Sequence, residues 1–202
     1  MSLSGHISVG ITGLMGSGKS EVANFFKRAG YPVLFMDKVG HFCLKEADII
    51  KKLVDFFGQE ILENSNIINR SKLSQLVFSD PKKLKELNAI LHPKMNQIAK
   101  KWINYHFEKG EFIVFLEAAI LFEMQMNKFL DYTVLIKATK KDMINRIIKR
   151  DQKTSHEIKK ILETQNLKEE QVDYVLFNDG SLNELYRNCD KLLRELKSKT
   201  II

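Results

Sequence analysis

Cysteine and proline are scarce in this chain. Its 202 residues include two cysteines and three prolines. Cys43 and Cys189 lie far apart, in no spacing typical of a metal site, so we expect both to be ordinary thiols. No signal peptide is visible at the start of the sequence, and together with the low cysteine content this favours a reducing, cytoplasmic location.

Long hydrophobic runs are also missing. No apolar stretch reaches the length of about 20 residues that a transmembrane helix needs, so we expect no membrane partner. The hydrophobic content of 44% over 202 residues is nevertheless enough for one sizeable α/β core. We therefore expect a single domain over residues 1–202.

Charge is unbalanced, with a formal net charge of +7. Such a balance is compatible with nucleic acid, an anionic membrane or small phosphorylated ligands as partners. The lysines are spread along predicted helices, and no basic strand carries the interleaved aromatic residues that stack on bases. The pattern favours a small-molecule substrate over nucleic acid. We expect the chain to be a monomer or a weak homo-oligomer.

The stretch Gly13–Ser20 reads Gly-Leu-Met-Gly-Ser-Gly-Lys-Ser, between an alternating apolar segment and a segment with helical apolar spacing. It matches G-x-x-x-x-G-K-[ST], the phosphate-binding loop, in which backbone N–H groups and a helix N terminus bind phosphate. Lys19 is expected to reach the β- and γ-phosphates and Ser20 to bind Mg²⁺. The alternative is a glycine-rich turn formed by chance. The predicted nucleotide-binding residues of the loop are Leu14, Met15, Gly16, Ser17, Gly18, Lys19 and Ser20.

Short apolar segments alternate with helical patterns, which predicts an α/β fold with a doubly wound, five-stranded parallel sheet. The expected strands are Ile7–Ile11, Val33–Met36, Phe112–Leu116, Tyr132–Ile136 and Tyr174–Phe177. The nucleotide-binding core is predicted over residues 6–37, 111–145 and 171–202. Residues 38–110 predict a helical, substrate-binding insertion. Within it, Phe42–Phe57 predicts one or two helices, Asp80-Pro81 starts a further helix with Asp80 as the N-cap, and His92-Pro93 interrupts that helix. Residues 146–170 are rich in charge and poor in large apolar groups, which predicts a helical lid with a capping box at Thr154–Glu157.

Carboxylates follow two of the predicted strands. Asp37 ends the second strand and Glu117 ends the third, at the edge where open α/β sheets bind their ligands. Asp37 is a candidate general base, with a helix N-cap as the alternative. Glu117 is a candidate for orienting Mg²⁺, with an ordinary exposed acid as the alternative.

Three classes of phosphate-loop protein compete for this pattern: a small-molecule kinase, a GTPase-like switch, and an ATP-dependent binding or motor module. Two segments imitate GTPase motifs, but Asp55–Gly58 ends a predicted helix and Asn127–Asp131 has one residue too many. The short chain, the acid after the second strand, the helical insertion and the arginine-bearing lid favour a kinase of a nucleotide or another small metabolite.

Nearly the whole chain resembles the dephospho-coenzyme A kinase family. Two departures from the family pattern stand out, because Phe35 replaces the first of two acids and Ala119 replaces a proline. The segments that carry the resemblance are Gly13–Ser20, Asp37, Asp55–Gly58, Asn69-Arg70, Leu87–Pro93, Leu121-Phe-Glu123, Arg146, Arg150-Asp151, Gln165 and Asp173–Gly180.

The resemblance implies transfer of the γ-phosphoryl group of ATP to the ribose 3′-hydroxyl of dephospho-coenzyme A, the last step of coenzyme A biosynthesis, with Mg²⁺ as cofactor. It implies Asp37 as the base, with Lys19, Arg146 and Arg150 stabilising the phosphates. For both arginines the alternative is a solvated helix face. The acceptor contacts are then Asp37, Arg70, His92, Leu121 and Glu123.

The same resemblance implies that Asn178 and Gly180 shape the adenine pocket. The alternative for these two residues is turn chemistry alone.

Overall fold

The structure is a computed structural model that describes residues 5–151, residue 158 and residues 171–200, without the side chains of Phe78 and Asp151. It contains two compact units, Met1–Phe35 with Trp102–Ile202, and Met36–Lys101. In chain order the elements are β1 (Ile7–Thr12), α1 (Lys19–Arg28), β2 (Val33–Phe35), α2 (Met36–Cys43), α3 (Ala47–Phe57), β3 (Leu62–Asn64), β4 (Ile67–Ile68), α4 (Arg70–Phe78), α5 (Pro81–Glu108), β5 (Ile113–Glu117), β6 (Tyr132–Lys137), α6 (Lys140–Asp151), β7 (Tyr174–Phe177) and α7 (Leu182–Thr200), with short 3-10 turns at Gln59–Ile61 and Met126–Lys128.

The first unit is built on a five-stranded sheet in the order β2-β5-β1-β6-β7, and every neighbouring pair is parallel. This confirms the predicted fold class. β1 is the central strand, and Ile11 lies beside Glu117 of β5 on one side and Val134 of β6 on the other. The carboxyl end of β1 therefore opens the phosphate loop next to the carboxyl ends of β5 and β6.

Helices α1 and α7 cover one face of this sheet. Phe26 of α1 stacks on Phe115 of β5, with ring centroids 4.0 Å apart and planes 4° from parallel. Leu185, Leu192 and Leu196 of α7 belong to the same buried cluster. Burying one such side chain contributes about 1.5–3 kcal/mol, so the two helices fix the sheet that carries the loop.

The second unit contains helices α2, α3 and α4, a small hairpin of β3 and β4, and most of α5. The first helix begins at Met36, earlier than the pattern indicated. The predicted helix start at Asp80-Pro81 is confirmed, because the Asp80 carboxylate accepts a hydrogen bond of 2.8 Å from the N–H of Lys82.

The predicted interruption at His92-Pro93 is wrong, since α5 continues through Pro93. A proline inside a helix removes one backbone hydrogen bond and costs about 3 kcal/mol. Leu91, Met95 and Ala99 are buried on one face of α5, and this burial outweighs the cost of the proline.

The predicted lid, residues 146–170, begins within α6. Residues 152–157 and 159–170, including the predicted capping box Thr154–Glu157 and Gln165, lie outside the described residues. Ile158 is buried and clusters with Met143 and Ile147 of α6. Over the part of the chain that the structure describes, no helix has the length and apolar character needed to cross a membrane.

Candidate functional site

The phosphate loop joins β1 to α1 in the first unit. Gly16 has φ +79°, and a Cβ atom there would lie 2.7 Å from the carbonyl oxygen of Met143. Gly18 has φ +98°, and its Cβ atom would overlap the side-chain amide of Asn178. Only glycine combines these backbone angles with such close neighbours. The Ser17 N–H closes the turn by donating to the Leu14 carbonyl at 3.1 Å.

The N terminus of α1 follows the loop directly. Its first turn contains Lys19, Ser20 and Glu21, and among the described residues no side chain caps it. The first N–H groups of a helix have no partner within the helix, and the helix dipole adds positive charge at this end. The arrangement suits an anion such as a nucleotide phosphate.

Glu117 lies at the carboxyl end of β5 and is 3% exposed. This burial contradicts the exposed-acid alternative considered for it. The Ser20 hydroxyl donates a hydrogen bond of 3.3 Å to its carboxylate. A hydroxyl and a carboxylate are oxygen ligands of the kind that Mg²⁺ prefers, so these two residues fit a magnesium ion or its bound water.

A magnesium ion at Ser20 and Glu117 would need further ligands. Within the described ranges, no three histidine, cysteine, aspartate or glutamate residues cluster closely enough to hold a metal. Mg²⁺ commonly keeps several waters and takes other oxygens from substrate phosphates. The donor set therefore suits an ion that arrives with nucleotide.

Arg146 of α6 contacts the outer side of the loop. It is half-buried, and its Nη1 atom donates to the carbonyl oxygens of Gly16 and Ser17 at 3.3 and 3.4 Å. Its Nη2 atom donates to the Asn178 backbone carbonyl at 2.8 Å and to the Asn178 Oδ1 atom at 3.3 Å. Arg146 is therefore not on a solvated helix face, which was the alternative for it.

Asn178 follows β7 and is 7% exposed. Its Nδ2 atom donates a hydrogen bond of 2.8 Å to the Ser17 carbonyl. Asn178 is therefore more than a turn residue, the alternative considered for it, because its side chain contacts the phosphate loop. No local sequence pattern indicates that contact, since 161 positions separate the two residues.

Arg150 is exposed, one helical turn beyond Arg146. Both arginines line a cavity of about 270 Å³ above the loop. The structure thus brings together most of the predicted nucleotide-side residues. The cavity is lined by Gly16, Gly18, Lys19, Ser20, Glu21, Arg146, Ile147 and Arg150.

Gly180 lies in the turn before α7. Both the N–H and the hydroxyl of Ser181 donate to the Glu184 carboxylate, at 2.7 and 2.9 Å. These hydrogen bonds hold the pKa of Glu184 below its usual value. Gly180 and Glu184 line a separate cavity of about 380 Å³, between the end of β7 and α7.

Leu121 and Glu123, both predicted acceptor contacts, differ in exposure. Leu121 is fully buried, and its side chain packs towards Gly10 of β1. In this structure it is a core residue. Glu123 is exposed.

In the second unit, Asp37 is the second residue of α2 and is exposed. The N-cap alternative for Asp37 is wrong, because the helix begins one residue earlier. His92 lies half-buried within α5, and burial lowers the pKa of its imidazole.

Arg70 is the exposed first residue of α4, and its Nη2 atom lies 2.6 Å from Nε2 of His41. Since the guanidinium can only donate, the His41 nitrogen is the acceptor in this contact. His41 was not among the predicted site residues. Its spacing from Asp37, four residues along α2, was the available signal.

Comparison with known families shows similarity along most of the chain. The sequence model of the family described as dephospho-CoA kinase matches residues 7–184. A dephospho-CoA kinase of Wolinella succinogenes is 34% identical and covers 95% of this chain and 96% of its own length. One from Arabidopsis thaliana is 32% identical, with 94% and 83% covered.

Solved structures are also similar to this chain over almost its entire length. The crystal structure of TT1252 from Thermus thermophilus superimposes with a TM-score of 0.80 at 32% identity, covering 95% of this chain and 98% of the other. The dephospho-CoA kinase from Campylobacter jejuni has a TM-score of 0.72 at 23% identity, over 96% and 98% of the chains, and supports the fold alone. On the strength of the match over residues 7–184 and of relatives similar along almost its entire length, this chain belongs to the dephospho-CoA kinase family.

Proposed function

We propose that this chain transfers the γ-phosphoryl group of ATP to the ribose 3′-hydroxyl of dephospho-coenzyme A. The family match over residues 7–184 is the observation that carries the proposal. The phosphate loop supports the same conclusion from geometry, because it presents an uncapped helix N terminus beside Lys19 and Ser20.

On the nucleotide side, the loop N–H groups and Lys19 bind the β- and γ-phosphates. Ser20 and the buried Glu117 hold Mg²⁺, which supplies positive charge to the phosphate oxygens when it is bound. Arg150 is an exposed residue that lines the loop cavity, and an arginine there suits charge stabilisation on the transferred group.

In the transfer step, Asp37 accepts the proton of the acceptor 3′-hydroxyl. That oxygen forms a bond to the γ-phosphorus, the bond from the γ-phosphorus to the β–γ bridging oxygen breaks, and ADP leaves. The exposure of Asp37 leaves its carboxylate accessible to an acceptor hydroxyl, as a general base requires. Since Phe35 occupies the position two residues earlier, no carboxylate there can replace it.

On the acceptor side, we propose that residues 36–101 bind dephospho-coenzyme A. Arg70 has the donor geometry for the acceptor's phosphate oxygens, and His41 holds its guanidinium. His92 offers a neutral imidazole for a hydrogen bond or a ring contact, because burial lowers its pKa.

A coupled assay for ADP release tests the assignment. The acceptors are dephospho-coenzyme A, adenosine monophosphate, shikimate and cytidine monophosphate, each with Mg²⁺ and with a chelator. We expect ADP release above background only with dephospho-coenzyme A and Mg²⁺. Release with a different acceptor alone would replace this proposal with another kinase activity. Release with none of them, together with tight guanine nucleotide binding, would favour a switch protein.

A further inference from the structure

The outward-facing carbonyl groups of the phosphate loop require partners of their own. When a loop turns its N–H groups towards a ligand, its carbonyl oxygens point the other way and must be hydrogen-bonded there. The Leu14 carbonyl accepts from Ser17, and the Gly18 carbonyl accepts from Glu21 and Val22 in the first turn of α1. The carbonyls of Gly16 and Ser17, which lie between Leu14 and Gly18 in the loop, accept hydrogen bonds from side chains instead.

Two residues provide those side chains. The Gly16 carbonyl accepts from Arg146, while the Ser17 carbonyl accepts from both Arg146 and Asn178. The two side chains are themselves joined, because Arg146 Nη2 donates to both oxygens of Asn178. Arginine suits this position, since its planar fork can reach several acceptors at once.

Both residues are firmly anchored. The Asn178 N–H donates a hydrogen bond of 2.7 Å to the Lys137 carbonyl at the end of β6, so Asn178 extends the pairing of the sheet. Arg146 lies on α6 next to Ile147, whose side chain would lie 3.0 Å from a Cβ atom on Gly16. The loop is therefore fixed to both β6 and α6.

We propose that Arg146 and Asn178 are positioning residues that form a loop brace, holding the Gly16–Ser17 carbonyls so that the loop N–H groups point at the nucleotide phosphates. The inference rests on the proposed function only in taking the loop to bind ATP. It gives Arg146 a role different from a phosphate clamp. Arg150, one turn along α6, is then the arginine that faces the phosphates.

Nucleotide affinity separates this role from a phosphate clamp. Arg146→Lys keeps the positive charge and loses the fork, whereas Asn178→Ala removes the donor to Ser17. We expect each variant to bind ADP with Mg²⁺ roughly 10- to 100-fold more weakly by calorimetry, the range for losing one or two hydrogen bonds with a charged partner. Arg194→Lys, an exposed arginine of α7, is the matched control and should bind as the parent does.

A double variant tests whether the two residues act as one unit. The two side chains are hydrogen-bonded to each other and share the Ser17 carbonyl, so removing either one disturbs the other. Arg146→Lys with Asn178→Ala should therefore bind ADP within about threefold of the weaker single variant. Full multiplication of the two losses would show independent roles and overturn the brace. ADP affinity within threefold of the parent in folded Arg146→Lys, with only a lower melting temperature, would also overturn it.

A crystal structure of the unmodified protein with ADP provides a test that depends on no variant. The brace predicts that Arg146 stays on the Gly16 and Ser17 carbonyls, and a guanidinium moved onto the phosphates would overturn it. ADP binding requires no acceptor. These tests can therefore fail while phosphorylation of dephospho-coenzyme A is confirmed, and the reverse.

Discussion

The phosphate loop and the acceptor residues of the second unit are built in different ways. The loop is formed by backbone, and its shape depends on positive φ angles and on buried hydrogen bonds from residues far away in sequence. The acceptor candidates are side chains on helix surfaces, and Asp37 and Arg70 are both exposed.

This difference separates two kinds of functional residue. A site made of backbone is rigid before the ligand arrives, and changes near it alter both shape and affinity. A site made of exposed side chains can lose chemistry while the fold remains intact. Substitutions at the exposed acceptor candidates Asp37 and Arg70 should therefore change turnover with little effect on stability.

The largest expected effect is that of Asp37→Asn. The substitution keeps the shape and removes the proton acceptor, so we expect kcat to fall by about 10²–10⁴-fold with nearly unchanged ATP binding and melting temperature. Loss of the charge in the first turn of α2 costs at most about 1 kcal/mol. Asp190→Asn, exposed on α7, is the control. Retention of more than about a tenth of parental turnover would remove Asp37 from the base role.

Lys19→Met tests how much the phosphate loop depends on a side chain in addition to its backbone. Removing one charged group that stabilises the phosphates should lower kcat by about 10²–10³-fold, because the charge acts on the transferring group. The melting temperature should stay close to that of the parent. Lys27→Met, exposed on α1, serves as the control. Near-normal kcat in Lys19→Met would mean that the backbone alone stabilises the phosphates.

Ser20→Ala probes the proposed magnesium ligand. Without the hydroxyl, we expect the Mg²⁺ concentration for half-maximal activity to rise by roughly tenfold, as is common when a metal site loses one supporting group. A titration of activity against Mg²⁺ measures the shift, with Ser198→Ala on α7 as the control. An unchanged titration curve would exclude Ser20 as a ligand.

The smallest expected effect concerns His92 and pH. Burial lowers the pKa of His92 in the folded state, so the unfolded chain binds more protons between that lowered pKa and the ordinary value of about 6.5. This contribution to stability is complete above about pH 6.5 and declines as the pH falls towards the folded-state pKa. In His92→Gln, unfolding free energies between pH 7.5 and 5.5 should change less than in the parent. An equal change would exclude His92 as a source of the pH dependence.

Local patterns were sufficient to predict the sheet and the loop. All five strands of the sheet formed where apolar segments indicated them, because buried parallel strands are continuously apolar. The helix start at Asp80-Pro81 was also predictable, because the cap depends on neighbouring residues alone. The helix through Pro93 was not predictable, since its stability depends on the burial of Leu91, Met95 and Ala99, which is tertiary.

The contacts between site residues were harder to predict than the identity of those residues. The sequence indicated Arg146 and Asn178 as nucleotide-side residues, but not that they contact each other and the loop carbonyls. No spacing rule connects Ser17 with positions 146 and 178, because the contact arises only when α6 and β7 come next to β1. The His41 contact with Arg70 was missed because it joins two separate helices, α2 and α4, across 29 positions of the sequence.

The hydrogen bonds on the Gly16 and Ser17 carbonyls have a consequence for protein synthesis. The loop is synthesised well before its partners, which are residues 146 and 178. At synthesis rates of about 5–20 residues per second, the interval between Ser17 and Asn178 is roughly 8–30 s. During that time the growing chain contains the complete Gly13–Ser20 motif without the side chains that hold it. Tight nucleotide binding should therefore begin only after Asn178 has been synthesised.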